Sequence, residues 1–159
     1  MTVKRSQKTL ESRVEDLEAT IEIMNLEAQY ARVWDTGQAN AWADVFTEDG
    51  IFEVVAGPNR PGRTVQGRAE LAKFRDEINA ATTGIHLMHT PHIVVDGDTA
   101  VGGLYFEFRR VNRQTPDATA QGSTSGYYDV RYVRTEGGWK MKTRIEKGII
   151  RASSTFYEI

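Results

Sequence analysis

Residues 99–112 read TAVGGLYFEFRRVN, and the fold turns on how that stretch is taken. Leu104, Phe106 and Phe108 alternate with Tyr105, Glu107 and Arg109. A period of two belongs to a pleated strand with one face turned inward. The even face, which ends in Arg110, is therefore predicted to line an interior. Working outward, Asp96-Gly97-Asp98 marks a tight turn, and residues 85–95 before it form another β-type segment. On the other side, 119–135 and 138–151 are two more, separated by the turn Glu136-Gly137-Gly138. The link from Asn112 to Asp117 is looser. Strands joined by such short turns pair antiparallel. In the last segment Trp139, Met141, Thr143 and Ile145 alternate with Lys140, Lys142, Arg144 and Glu146, which predicts that the first set faces inward.

The first half of the chain has a different period. Over residues 8–36, Leu10, Val14, Leu17, Ile21, Met24, Ala28 and Ala31 recur at steps of four and three, the spacing of one helical face. Glu11, Glu15 and Asp16 crowd the end where the helix dipole favours negative charge, and Gly37 is a stop signal. A short helix is predicted over 39–46, ending before a turn at Glu48-Asp49-Gly50. A strand follows over 51–55, then a loop rich in glycine and proline at 57–62. Leu71, Phe74 and Ile78 predict a helix over 67–81. Helices followed by a run of strands predict an α+β fold, with the helices on one face of a curved, mostly antiparallel sheet. Such a sheet leaves a cavity at its open end, where small molecules bind.

Composition narrows the classes. A chain of 159 residues fits a single domain over 1–159, with 1–9 a flexible lead and 152–159 a tail. The apolar residues of that tail, Phe156, Tyr157 and Ile159, are expected to cover the pocket or a neighbouring subunit. The net charge of −2 offers no basic footprint for nucleic acid. No apolar run approaches the ~20 residues of a membrane span, and 1–7 carry no signal-peptide pattern, so a cytoplasmic protein is expected. The cysteine count of zero removes disulfides, thiolate ligands and thiol nucleophiles.

Three residues could carry acid–base chemistry. Asp35 continues the stripe through positions 24, 28 and 31, and a carboxylate on a core-facing stripe needs a partner. His86 opens the first β-type segment, and histidine is the side chain best matched to proton transfer near neutral pH. Tyr30 lies one helical turn before Trp34, beside Asp35, where its hydroxyl can meet a substrate oxygen. The alternatives are a solvated Asp35 in a turn, a structural histidine and plain core packing for Tyr30. Strand alternation sets His86 and His92 on one face and His89 on the other, unless Pro91 breaks the count. A metal held by His86 and His92 with Asp35 or Glu107 is a competing reading, although the spacing matches no strong ligand motif. No glycine-rich phosphate loop occurs, so no nucleotide-type cofactor is expected. Trp34, Leu104, Phe106, Phe108 and Arg110 are the predicted substrate contacts.

Taken in order, Tyr30-Ala31-Arg32-Val33-Trp34-Asp35, Trp42-Ala43-Asp44-Val45-Phe46, His86-Leu87-Met88-His89-Thr90-Pro91, Tyr127-Tyr128-Asp129 and Gly138-Trp139 form a pattern over nearly the whole chain. It resembles the SnoaL-like branch of the nuclear-transport-factor-2-like (NTF2-like) superfamily, closest to the group of scytalone dehydratase, hexachlorocyclohexane dehydrochlorinase and bile-acid 7α-dehydratase. The resemblance implies a cone-shaped α+β barrel, a cofactor-independent elimination and a homo-oligomer, dimer or trimer, built on the outer sheet face. It implies roles for Asp35, His86 and Tyr30, and no metal or cofactor. It also departs from that group. Phe108 and Arg110 stand where relatives place a further polar residue, and the relatives' late arginine has only Arg144 or Arg151 as counterpart. An isomerase or cyclase using the same pair, or a non-catalytic ligand-binding or oxygenase β-type subunit, are the other functions the family allows. Tyr105, Arg131 and Tyr132 are predicted on the outer face.

Overall fold

The computed structural model describes residues 8–57, 60–113 and 119–156. Three helices, α1 (Leu10–Asp35), α2 (Ala39–Ala43) and α3 (Arg68–Ala81), combine with seven strands. The strands are β1 (Phe46–Val54), β2 (Arg63–Gln66), β3 (Thr82–Met88), β4 (His92–Asp96), β5 (Thr99–Asn112), β6 (Thr119–Thr135) and β7 (Gly138–Phe156). They form one sheet in the order β2-β1-β7-β6-β5-β3, with β4 also paired to β5. Every pairing is antiparallel except β1 with β7, which is parallel. The sheet does not close, and the helices fill its hollow, as a cone-shaped α+β fold requires.

The bounds of α1 follow from its caps. The Thr9 hydroxyl accepts from the Ser12 backbone N–H at 3.1 Å, and Gly37 leaves the helix with φ of 73°. Its buried face is not the predicted one. Ile23 is fully buried, whereas Leu17 and Ile21 are 63% and 59% exposed. Leu10, Val14, Met24 and Ala28 are exposed too, and of the predicted stripe Ala31 is buried. Ala19, Ile23, Leu26, Tyr30, Val33 and Trp34 point inward instead. Both stripes have helical spacing, and the one that ends in two large aromatics wins the core because it buries more area.

Four further expectations are corrected. Glu48-Asp49-Gly50 is no turn but part of β1, and α2 stops at Ala43. Between the pairs Phe46↔Met141 and Ile51↔Thr143 the strand bulges, and a Cβ at Gly50 would stand 2.7 Å from the Phe46 Cβ. The segment 85–95 is two strands, β3 and β4, broken around Thr90-Pro91, so His92 is exposed rather than beside His86. Between the predicted loop at 57–62 and α3 lies a strand, β2, that the sequence pattern did not mark. Finally, β7 runs on through Phe156, so 152–156 is strand rather than tail. Tyr157 and Ile159, together with 1–7 and 114–118, lie outside the described residues.

Two bulges in β7 decide what the cone contains. One falls where Arg131↔Thr143 gives way to Tyr132↔Met141, the other where Ser125↔Ile150 gives way to Gly126↔Gly148. Each extra residue reverses the inside–outside alternation. Trp139 and Met141 are buried as predicted, but past the first bulge it is Arg144 that is buried, while Thr143 and Ile145 are only half-buried. Tyr132, predicted outside, is 1% exposed and donates to Glu27 Oε1 at 2.6 Å. Tyr105 and Arg131 are on the outer face as expected.

Candidate active site

Asp35 is the last residue of α1, and the turn through Thr36 and Gly37 fixes where its side chain emerges. Arg75 of α3 locks that end. It is buried, donates through Nε to the Trp34 carbonyl at 3.1 Å, and lays its guanidinium 4.6 Å from the Trp34 ring. This is a side-chain cap on a helix C-terminus, where cations are favoured. Burial is the main reason the Arg75 pKa falls from its ordinary value, and Asp35 pulls the other way.

His86 lies in β3, directly across from Phe108 of β5. Its Nδ1 stands 2.7 Å from Asp35 Oδ1, and its backbone N–H donates to Asp35 Oδ2 at 2.9 Å. Both carboxylate oxygens thus engage one residue, so the imidazole cannot rotate without breaking a bond. A carboxylate can only accept here, so the bond favours the tautomer with its proton on Nδ1, and among the described residues nothing bonds Nε2. The imidazole side chain is 4% exposed and the Asp35 side chain 18%.

The surroundings are aromatic. Phe108 lies 4.5 Å from the imidazole, Trp34 5.9 Å, Tyr30 6.1 Å and Phe106 6.4 Å, centroid to centroid. These five side chains line one wall of a cavity of about 470 Å³ that also meets Phe52, Phe74 and Ile78. Its size and apolar walls suit a small ring-bearing molecule. Arg110 lines the same cavity. Leu104 does not; it is packed in the core deeper along β5, so it is no substrate contact.

Below the cavity is a second charge pair. Glu27 and Arg144 are both buried, and the Arg144 Nη1 reaches both Glu27 oxygens at 2.8 Å. The guanidinium is sandwiched between the rings of Tyr30 and Tyr128, at 3.8 and 3.7 Å. Burial pushes the Tyr30 hydroxyl up to about 12 against the opposing pull of Arg144, and raises Tyr128 for the same main reason. Tyr30 therefore remains a proton donor at any physiological pH.

The sequence missed Arg75, Glu27, Tyr128 and the burial of Arg144 between two tyrosine rings. Glu27 offered a signal, since it falls between Ile23 and Tyr30 on the stripe that is truly buried. His89 and His92 are exposed, and among the described residues no three of His, Asp and Glu converge as metal ligands would. Glu107 pairs instead with Arg109 across 2.5 Å.

An open curved sheet, helices in its hollow and an aromatic chamber at the wide end define an NTF2-like protein. The chain belongs to the SnoaL-like domain family, whose pattern matches residues 15–145. Among solved structures, a putative aromatic ring hydroxylase from Novosphingobium aromaticivorans is 25% identical, covering 88% of this chain and 94% of its own, with a TM-score of 0.75. A protein of unknown function from Mycobacterium tuberculosis is 24% identical over 91% of this chain and 78% of its own, with a TM-score of 0.74. The hexachlorocyclohexane dehydrochlorinase LinA type 2 shares the fold at 15% identity, over 90% of this chain and 92% of its own, with a TM-score of 0.70. No curated protein matches the chain in sequence. Among the described residues no helix is long and apolar enough to cross a membrane.

Proposed function

We propose that this protein is a cofactor-independent lyase that eliminates water from a small, largely apolar aromatic, polyketide-like or terpenoid-sized substrate. The observation that carries this reading is the bond between His86 Nδ1 and Asp35 inside an aromatic chamber, with Nε2 unclaimed among the described residues. Nε2 takes a proton from a carbon made acidic by a neighbouring carbonyl or ring. The electron pair from that C–H bond moves onto the carbonyl oxygen as an enolate, and the Tyr30 hydroxyl stabilises the developing charge. The enolate then collapses to a carbon–carbon double bond and expels the hydroxyl on the next carbon. That hydroxyl leaves as water by taking back the proton held on Nε2, so the imidazole ends neutral. Asp35 stabilises the imidazolium between the two transfers.

Incubating the protein with a panel of β-hydroxy aryl ketones in deuterated water, with mass spectrometry of the products, tests this. Loss of water that requires His86 supports elimination. Deuterium uptake without loss of mass points to an isomerase using the same pair. Turnover in His86→Gln equal to that of the wild type contradicts both.

A further inference from the structure

The mouth of the cavity has a different chemistry from its floor. Arg60, Arg63, Arg110 and Arg151 all line it, against one carboxylate, Glu146. Two of these cations are already matched. Arg63 pairs with Glu77 at 2.8 Å, and Arg60 with Glu146 at 3.3 Å. Arg110 and Arg151 have no ion-pair partner among the described residues. Arg110 donates to the Thr124 hydroxyl at 3.0 Å, a neutral acceptor on a buried residue.

Strand register brings the two unmatched arginines together. Thr124 stands opposite Arg151 on β7 and opposite Phe108 on β5, two residues from Arg110 on the same face. Arg151 reaches the inner side because the second β7 bulge reverses the alternation just before it. Like charges held close repel. Burial first, then Arg60, holds the Arg151 pKa below its ordinary value, with Arg110 adding to the effect against Glu146. An apolar pocket gains nothing from two clustered guanidinium groups unless something negative joins them, and planar forks of this kind match a carboxylate.

We infer that Arg110 and Arg151 form an anion subsite, and that the natural substrate is an apolar ring system ending in a carboxylate. Resting on the lyase reading, the carboxylate sits at the mouth while the reacting carbon lies at His86. His86 is across from Phe108, and Arg110 is two residues further along β5. At about 3.3 Å per strand residue, the backbone positions facing His86 and carrying Arg110 are roughly 7 Å apart along β5, and Arg151 adds its fork from β7, two strands across. One to two rings bridge that gap, which fits the cavity.

Isothermal titration with biphenyl-4-carboxylate and its neutral analogue biphenyl-4-carboxamide separates charge from shape. The wild type is expected to bind the acid roughly tenfold more tightly than the amide at low salt, with the gap narrowing as salt rises. The double variant Arg110→Met/Arg151→Met should bind both alike, each no tighter than the wild type binds the amide, while its thermal melt stays cooperative. Each single variant serves as a check should the double variant fold poorly. His86→Gln should keep the full preference for the acid, so the subsite and the lyase chemistry stand or fall separately. Equal binding of acid and amide by the wild type, or a preference that survives loss of both arginines, overturns the inference.

Discussion

Two of the carboxylates on helix α1, Glu27 and Asp35, face partners inside the cone, and the pairs have opposite characters. Glu27 and Arg144 are sealed together beneath the sheet, at 4% and 0% side-chain exposure. Burial alone would lower the Arg144 pKa, but Glu27 and the surrounding tyrosine rings outweigh it, and the guanidinium stays charged. Asp35 and His86, two turns along the same helix, share a bond of similar length at the edge of a cavity. There the partner is an imidazole, whose second ring nitrogen can accept a proton while the first is held by the carboxylate. One pair is a fixed charge that clamps two tyrosine rings, while the other borders a cavity, as the proposed proton transfer requires. The difference teaches that burial of an ion pair is not by itself a sign of reactivity; access to a cavity and the identity of the partner are what set the two pairs apart.

Breaking the sealed pair should have the largest effect. Glu27→Gln leaves Arg144 charged and unmatched in the core, which costs about 3–5 kcal/mol. For a chain of this size that lowers Tm by roughly 10 °C or more, measurable by calorimetry, and a shift under two degrees contradicts the sealed role. Asp35→Asn acts on the other pair. The amide cannot balance an imidazolium, so turnover should fall by roughly 10²–10⁴-fold, with Tm close to the wild type.

A smaller effect sharpens the contrast by pH. Tyr30 and Tyr128 both titrate higher in the folded chain than the ordinary 10.0 of an unfolded tyrosine, Tyr30 at about 12. An unfolded chain therefore loses these protons first as the pH rises. The stability they contribute is complete below pH 10 and is lost progressively toward pH 12. Tyrosinate absorbance should show these hydroxyls ionising only together with unfolding. Free ionisation of both in the folded protein near pH 10 contradicts the packing around Arg144.

Much of this was legible in the sequence, for identifiable reasons. The long strands β5 and β6 were bounded correctly, because alternation and turn residues are local signals. Asp35 and His86 were found through a helix stop and an ordered motif. The reason first given for Asp35 was wrong, since Met24 and Ala28 of its supposed stripe face outward; the carboxylate enters the site from the edge of the buried face. Arg144 and Glu146 were misplaced because a bulge leaves no mark in composition yet inverts the side chains that follow it. Strand β2 escaped because Val65 is its one buried residue, set among Arg63, Thr64 and Gln66.

The proposed dyad requires that Asp35 hold Nδ1 of the His86 ring so that Nε2 is free to take a proton. Long-range ¹⁵N–¹H correlation spectra of labelled protein read this atom by atom. The neutral His86 ring should carry its proton on Nδ1 in the wild type and revert to a tautomer mixture in Asp35→Asn. A proton on Nε2 in the wild type, or a tautomer unmoved by Asp35→Asn, would contradict it.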